Sequence, residues 1–292
     1  MELLRPSSAD EAAAALGNGS VALAGGTELV PLLRDGLVRA ETLVHIARAV
    51  PRGVAVKKVR EGQPEVSPSA SFVIGAGTTL AELEVDPQIP QALREASAQA
   101  ASPQLRSMGT IGGNLLQATR CWYWRLGFHC WLHGGDHCFA KDGAHREHAI
   151  LGNELCASAH PSDLAAALVA LDATVRTTAR TLPAAELYRL PTDDNRDVTT
   201  LATDELILEL DVPQPQASAY LKAMDRRKWA FPLVGVAVAR TASGTRIALA
   251  GVAPIPWTLD STVALDDATP LPGTAYKVEI ARALIRRALE SI

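Results

Sequence analysis

An α+β chain in two parts is predicted from three observations. Two Gly-Gly loops, Gly25-Gly26 and Gly112-Gly113, each lie beside a threonine, and the first joins a short apolar strand to a helix. From residue 205 the pattern changes to successive strands closed by one amphipathic helix, which reads as an α+β unit. Between them, residues 121–160 hold all four cysteines, six of the seven histidines and three of the five tryptophans. At 292 residues the chain is too long for one small core. Two domains are expected, 1–178 and 179–292, with a cysteine-bearing insertion at 119–158.

The elements follow in order. Ser7 to Leu16 is a capped helix, ended by Gly17 and Gly19. Val21 to Ala24 is a strand that runs into Gly25-Gly26-Thr27-Glu28-Leu29, and Leu29 to Arg34 is a helix stopped by Gly36. Thr42 to Ile46 is a strand, whose His45 has a structural role. Residues 51–70 read as a hairpin or exposed loop. Phe72 to Gly77 is a strand, and Thr78 caps a helix from Thr79 to Leu83. An alanine-rich helix covers 90–101, with Leu93, Ala96 and Ala100 on one face. Ala101 to Asn114 is interrupted by glycine and proline and is expected to be an irregular, well-determined loop. His160-Pro161-Ser162-Asp163 caps a helix through Leu171. Residues 179–200 join the two parts. Strands are expected at 205–213, 218–224, 233–240 and 245–252, and a helix at 277–291 buries Val278, Ala281, Leu284, Ile285 and Ala288.

Bulk properties exclude several functions. A net charge of −4 with no basic tail argues against nucleic acid and anionic lipid as partners. No run of about eighteen apolar residues occurs, so no membrane insertion is expected. The start, Met1-Glu2-Leu3-Leu4-Arg5-Pro6, lacks the pattern of a signal peptide. No His-Glu-x-x-His and no Gly-x-Ser-x-Gly appears, and no catalytic residue is assigned.

Strand, Gly-Gly turn and helix together can cradle a phosphate, because glycine admits close backbone approach and the N–H groups at a helix start face the anion. Two such loops could hold one diphosphate cofactor from two sides. Asp163 is either a helix cap or a carboxylate that grips a hydroxylated cofactor group. The cysteines are confined to one region, unlike those of a disulfide scaffold. Eight, seven and seventeen residues separate successive cysteines, without the short Cys-x-x-Cys pairs of structural zinc sites. Four thiolates are the ligand set of an iron–sulfur cluster. Zinc, with or without histidine, and burial or disulfides remain the alternatives. The histidines read as solvated loop residues or donors to the ligands, and the tryptophans as a shield against water.

Several motifs together resemble one family. Leu23-Ala24-Gly25-Gly26-Thr27-Glu28-Leu29, Pro103-Gln104-Leu105-Arg106, Gly109-Thr110-Ile111-Gly112-Gly113-Asn114, Ser162-Asp163-Leu164, Tyr220-Leu221-Lys222 and Asp225-Arg226-Arg227 are similar, in order and spacing, to the FAD-binding medium subunit of the xanthine dehydrogenase and carbon monoxide dehydrogenase family of molybdenum hydroxylases. The resemblance spans essentially the whole chain. It implies a two-part FAD-binding domain of the vanillyl-alcohol-oxidase (PCMH) type, followed by a C-terminal α+β domain like that of the carbon monoxide dehydrogenase flavoprotein.

It also implies that residues 23–29 wrap the FAD diphosphate, and that Ser107 and Thr110, Ile111, Gly112, Gly113 and Asn114 meet the diphosphate and flavin. Asp163 would hold the ribose, with Ile207 and Lys222 near the cofactor. The 121–156 stretch departs from most members. It resembles the insertion of periplasmic aldehyde oxidoreductases, which implies a [4Fe-4S] cluster on Cys121, Cys130, Cys138 and Cys156. The implied function is an electron-transfer oxidoreductase subunit that works with a molybdopterin-binding large subunit, a [2Fe-2S] small subunit and an external acceptor. The implied location is the cytoplasm, or the periplasm if the complex is exported on a partner's twin-arginine signal. A stand-alone flavin oxidase or dehydrogenase is the rival reading, and a non-redox scaffold that binds no flavin is a third.

Overall fold

The computed structural model describes residues 1–17, 19–57, 71–226, 230–260 and 265–292. Three sheets organise it. The first is parallel, in the order β1 (Glu2–Leu4), β3 (Thr42–His45), β2 (Ser20–Leu23). Its helices are α1 (Ala9–Ala14) and α2 (Leu29–Arg34). Ser8 starts α1 by accepting the Glu11 N–H, which satisfies one of the orphan donors of the first turn.

The second sheet is antiparallel and five-stranded. Its strands are β4 (Val54–Lys57), β5 (Ser71–Gly75), β6 (Thr174–Thr177), β7 (Thr181–Pro183) and β8 (Ile207–Pro213), in the order β4-β5-β8-β6-β7. The part of the expected 51–70 loop from 58 onward lies outside the described residues. Strand β8 sits centrally, with Leu210 opposite Ile74 on β5 and Val175 on β6. Residue 178 falls between β6 and β7, which are paired in this sheet. We therefore propose that the division leaving every sheet whole lies between Pro213 and Ala217.

Seven helices lie between β5 and β6 in sequence: α3 (Leu80–Val85), α4 (Gln91–Gln99), α5 (Pro103–Arg106), α6 (Ile111–Leu115), α7 (Trp122–Arg125), α8 (Phe139–Asp142) and α9 (Asp163–Ala170). Thr79, not Thr78, caps α3, in a capping box with Glu82. The Thr78 hydroxyl instead accepts the Gly53 N–H. Residues 101–114 are not wholly irregular. Ser102 accepts the Leu105 N–H and Thr110 the Gly113 N–H, and these bonds start α5 and α6.

The third sheet is an antiparallel meander of β9 (Ala217–Ala223), β10 (Val234–Thr241), β11 (Gly244–Ala250) and β12 (Trp257–Leu259). It carries the terminal helix α10 (Tyr276–Glu290). Alternation along β10 explains its two covers. Ala237 and Ala239 join the core around α9, where small side chains let that helix approach. Val236 and Val238 join the core under α10, with Ala281, Leu284, Ile285 and Ala288. All eight residues of α9 are buried, and after Asp163 every one is apolar, which suits a central position. Each buried leucine there contributes roughly 1.5–3 kcal/mol of transfer free energy. Among the described residues no helix is long and apolar enough to cross a membrane.

Candidate functional site

The two glycine loops are packed backbone to backbone. A Cβ placed on Gly25 would stand 1.8 Å from the Met108 carbonyl oxygen, so only glycine fits there. Gly26 has φ +72°, the left-handed region that glycine enters freely. In the second loop the Ile111 N–H donates to Thr78 O (2.8 Å) and the Gly112 N–H to Ala76 O (3.0 Å), tying α6 to the end of β5. In the first loop, no N–H from Gly25 to Leu29 has an acceptor among the described residues. These five consecutive donors at the start of α2 form a cradle suited to an anion.

Glu28 ties this cradle to the cysteine insertion. Its carboxylate accepts the Ala118 N–H at 3.1 Å and pairs with Arg120 Nη2 at 2.6 Å and Arg125 Nη2 at 2.5 Å. The Arg120 guanidinium also lies 4.3 Å over the Phe231 ring. Arg120 and Phe231 belong to the wall of a cavity of about 320 Å3, together with Cys121, His148, Pro161 and Asp225. The cavity therefore lies between the insertion and the β9–β10 connection, and Arg120 ties its wall to Glu28 of the first loop. Sequence reading did not single out Glu28 as a hub. The available signal was the pair of arginines flanking Cys121.

The remaining expected site residues separate into two groups. Leu23, Ala24, Thr27, Leu29, Thr110 and Asn114 are half-buried around the loops, while Gly113 and Ser107 are exposed and Ile111 and Gly112 are buried. The Asn114 side-chain amide oxygen, Oδ1, accepts the Ser162 hydroxyl at 2.6 Å, which joins α6 to the start of α9. Asp163, by contrast, is 3% exposed and faces the protein interior. It pairs with Lys222 Nζ at 2.8 Å and accepts the Tyr220 hydroxyl. Burial raises the Asp163 pKa, opposed by Lys222. Gly235 makes room for this contact, since a Cβ there would lie 2.1 Å from the Tyr220 oxygen. Ile207 lies in the main hydrophobic core.

Cys121, Cys130, Cys138 and Cys156 all line one cavity, walled by Tyr123, Trp124, Trp131 and Phe139. All four are free thiols. Cys121 also lines the larger cavity. Burial pushes the Cys121 thiol up to about 11. Cys138 is drawn down by a hydrogen bond from Cys156, which is itself raised by that bond and by burial. The Ala157 N–H points at Cys138 Sγ (3.5 Å), and His148 Nε2 lies 3.2 Å from Cys121 Sγ. Among the described residues, no three His, Cys, Asp or Glu side chains are set to hold a metal ion. The sulfurs surround a shared space instead. Of the three tryptophans in this stretch, Trp124 and Trp131 line the cysteine cavity and Trp122 lines the larger one. The histidines divide: His129 and His137 are exposed, whereas His148 and His160 are buried. The Tyr188 ring packs edge-on to His160 at 4.9 Å.

Comparison with known proteins agrees with this arrangement. A family model described as the FAD binding domain in molybdopterin dehydrogenase matches residues 1–215. The aldehyde oxidoreductase FAD-binding subunit PaoB of Escherichia coli is 35% identical over 264 residues, covering 83% of this chain and 78% of that protein. The nicotinate dehydrogenase FAD-subunit of Eubacterium barkeri is 34% identical over 96 residues, 32% of this chain and 29% of that one. A carbon monoxide dehydrogenase structure from Hydrogenophaga pseudoflava superposes with a TM-score of 0.68 at 26% identity, covering 99% of this chain and 96% of that one. A second, from Oligotropha carboxidovorans, has a TM-score of 0.71 at 23% identity over the same shares and speaks for the fold.

Proposed function

The chain belongs to the family of FAD-binding domains of molybdopterin dehydrogenases, and on that premise we propose that it holds FAD across its two glycine loops and an iron–sulfur cluster beside it. It is the FAD-binding, electron-transferring subunit of a molybdenum-hydroxylase type of oxidoreductase, as its relatives are, and not a stand-alone oxidase. The residues present fit FAD. The unpaired N–H groups of Gly25 to Leu29 would receive the diphosphate, and the contact of Gly25 with Met108 holds the second loop against the first. Asp163, closed in by Tyr220 and Lys222, supports the site by fixing α9 to β9.

The cysteines fit a [4Fe-4S] cluster. The carrying observation is that four sulfurs, with none to spare, line one aromatic-walled cavity. FAD accepts one or two electrons and such a cluster one, so together they link single-electron partners to a two-electron acceptor. The chain's own residues hold both sites in register: Glu28 fixes Arg120 and Arg125 on either side of Cys121, and Trp124 and Trp131 exclude water. The partners proposed are a molybdopterin-binding large subunit, a [2Fe-2S] small subunit and an external acceptor. The complex would act in the cytoplasm, or in the periplasm where a partner carries the twin-arginine signal.

Iron and flavin analysis of the purified chain tests this reading. About four irons and one FAD per chain are expected from the ligand count. Cys138→Ser should lose the iron and keep the flavin. Stoichiometric zinc, or two disulfides, in anaerobically prepared protein would refute the cluster.

A further inference from the structure

His148 stands on the partition between the two cavities. Its neighbour Cys121 lines both of them, and His148 itself lines the larger. The ring is 3% exposed, with Trp122 edge-on at 5.2 Å and Nε2 3.2 Å from Cys121 Sγ. Its backbone N–H donates to His145 O at 2.9 Å, which anchors the residue in the insertion. The other ring nitrogen, Nδ1, is buried without a partner.

That pair of observations fixes the tautomer. A neutral imidazole carries one N–H and one bare nitrogen. A hydrogen on Nδ1 would leave a buried donor unmade, which folded proteins rarely tolerate. A hydrogen on Nε2 faces a sulfur that offers lone pairs. We propose that His148 is a positioning residue that donates Nε2–H to the Cys121 thiolate, and so raises the reduction potential of the cluster at the corner facing the larger cavity. The inference rests on the cluster reading above. Its physical basis is that a hydrogen bond to a ligand sulfur offsets negative charge, and the reduced cluster is the more negative state. Among the described residues no other histidine is within hydrogen-bond distance of a cysteine sulfur.

Potentiometric titration of the purified holoprotein, followed by electron paramagnetic resonance of the reduced cluster, tests this. His148→Leu should move the midpoint to lower potential, each tenfold loss in the reduced-to-oxidised ratio reading as about 59 mV for one electron. His148→Gln, whose amide nitrogen reaches the Nε2 position, should restore most of the shift. In wild-type protein labelled with 15N-histidine, electron–nuclear double resonance should show nitrogen coupled to the reduced cluster, and His148→Gln should lose it. If His148→Leu sheds iron, the labelled wild type and the glutamine variant decide. An unchanged midpoint in iron-replete His148→Leu, or no histidine coupling in wild type, overturns the proposal while the cluster stands. Absence of iron from wild type overturns both.

Discussion

Gly25→Ala is the sharpest perturbation of the flavin cradle. The added methyl would sit 1.8 Å from Met108 O and 2.6 Å from Met108 C. Real Cβ contacts are essentially never closer than 3.0 Å, so the loops must part by about 1.2 Å. The obstacle is backbone, which cannot rotate away as a side-chain tip can. Overpacking of this kind costs about 1–3 kcal/mol. With both loops facing the same cofactor, as proposed, most of that cost should fall on FAD binding, weakening it roughly 5- to 150-fold at 1.4 kcal/mol per decade. Gly36→Ala is the control. Its φ of +70° adds a backbone strain that Gly25 does not carry, but the methyl enters open space away from the loops. Titration of the apoprotein with FAD, read by flavin fluorescence, measures both variants. An affinity in Gly25→Ala within twofold of wild type would refute the argument that the loops act as one clamp.

Three further outcomes are expected. Asp163→Ala leaves the Lys222 side chain, itself 0% exposed, without its counter-charge, and should cost about 3–5 kcal/mol in urea unfolding. Adding Lys222→Met to that variant should recover part of the loss. Lys277 is fully buried, its Nζ donating to Glu147 O and Gly251 O, and burial lowers its pKa to about 7. The unfolded chain binds its proton up to about pH 10.4, so between about pH 7 and 10 the unfolded state carries the extra proton. Raising pH through that window should therefore stabilise wild type, and Lys277→Met should remove this gain in urea midpoints compared at pH 7 and 9. Glu28→Ala frees Arg120 and Arg125 from their shared carboxylate. Trypsin should then cut faster after these arginines, and FAD should bind more weakly.

The local grammar of this chain was readable without coordinates. Gly26 and Gly36 bracket α2, and the helix observed, Leu29–Arg34, matches the expected span. The terminal helix was legible from its apolar period, and β9, β10 and β11 from their apolar runs, whereas β12 was not foreseen and the expected 205–213 strand joins the second sheet as β8. The flavin was legible too, because the Gly-Gly loops and the motifs around them are distinctive enough to announce themselves. What the sequence left open is non-local. Nothing adjacent in the chain tells β8 to insert between β5 and β6 rather than open the C-terminal unit. That pairing is decided by backbone hydrogen bonds across more than a hundred residues. Asp163 read as a cap or a cofactor ligand because its partners, Tyr220 and Lys222, lie 57 and 59 residues away. The same holds for Glu28, whose arginines lie 92 and 97 residues downstream, and for His148 against Cys121. Composition and spacing determined which groups the chain can offer a flavin and a cluster. Tertiary packing alone decided which of them are buried, paired and aimed, because desolvation and hydrogen-bond geometry exist only once distant segments meet.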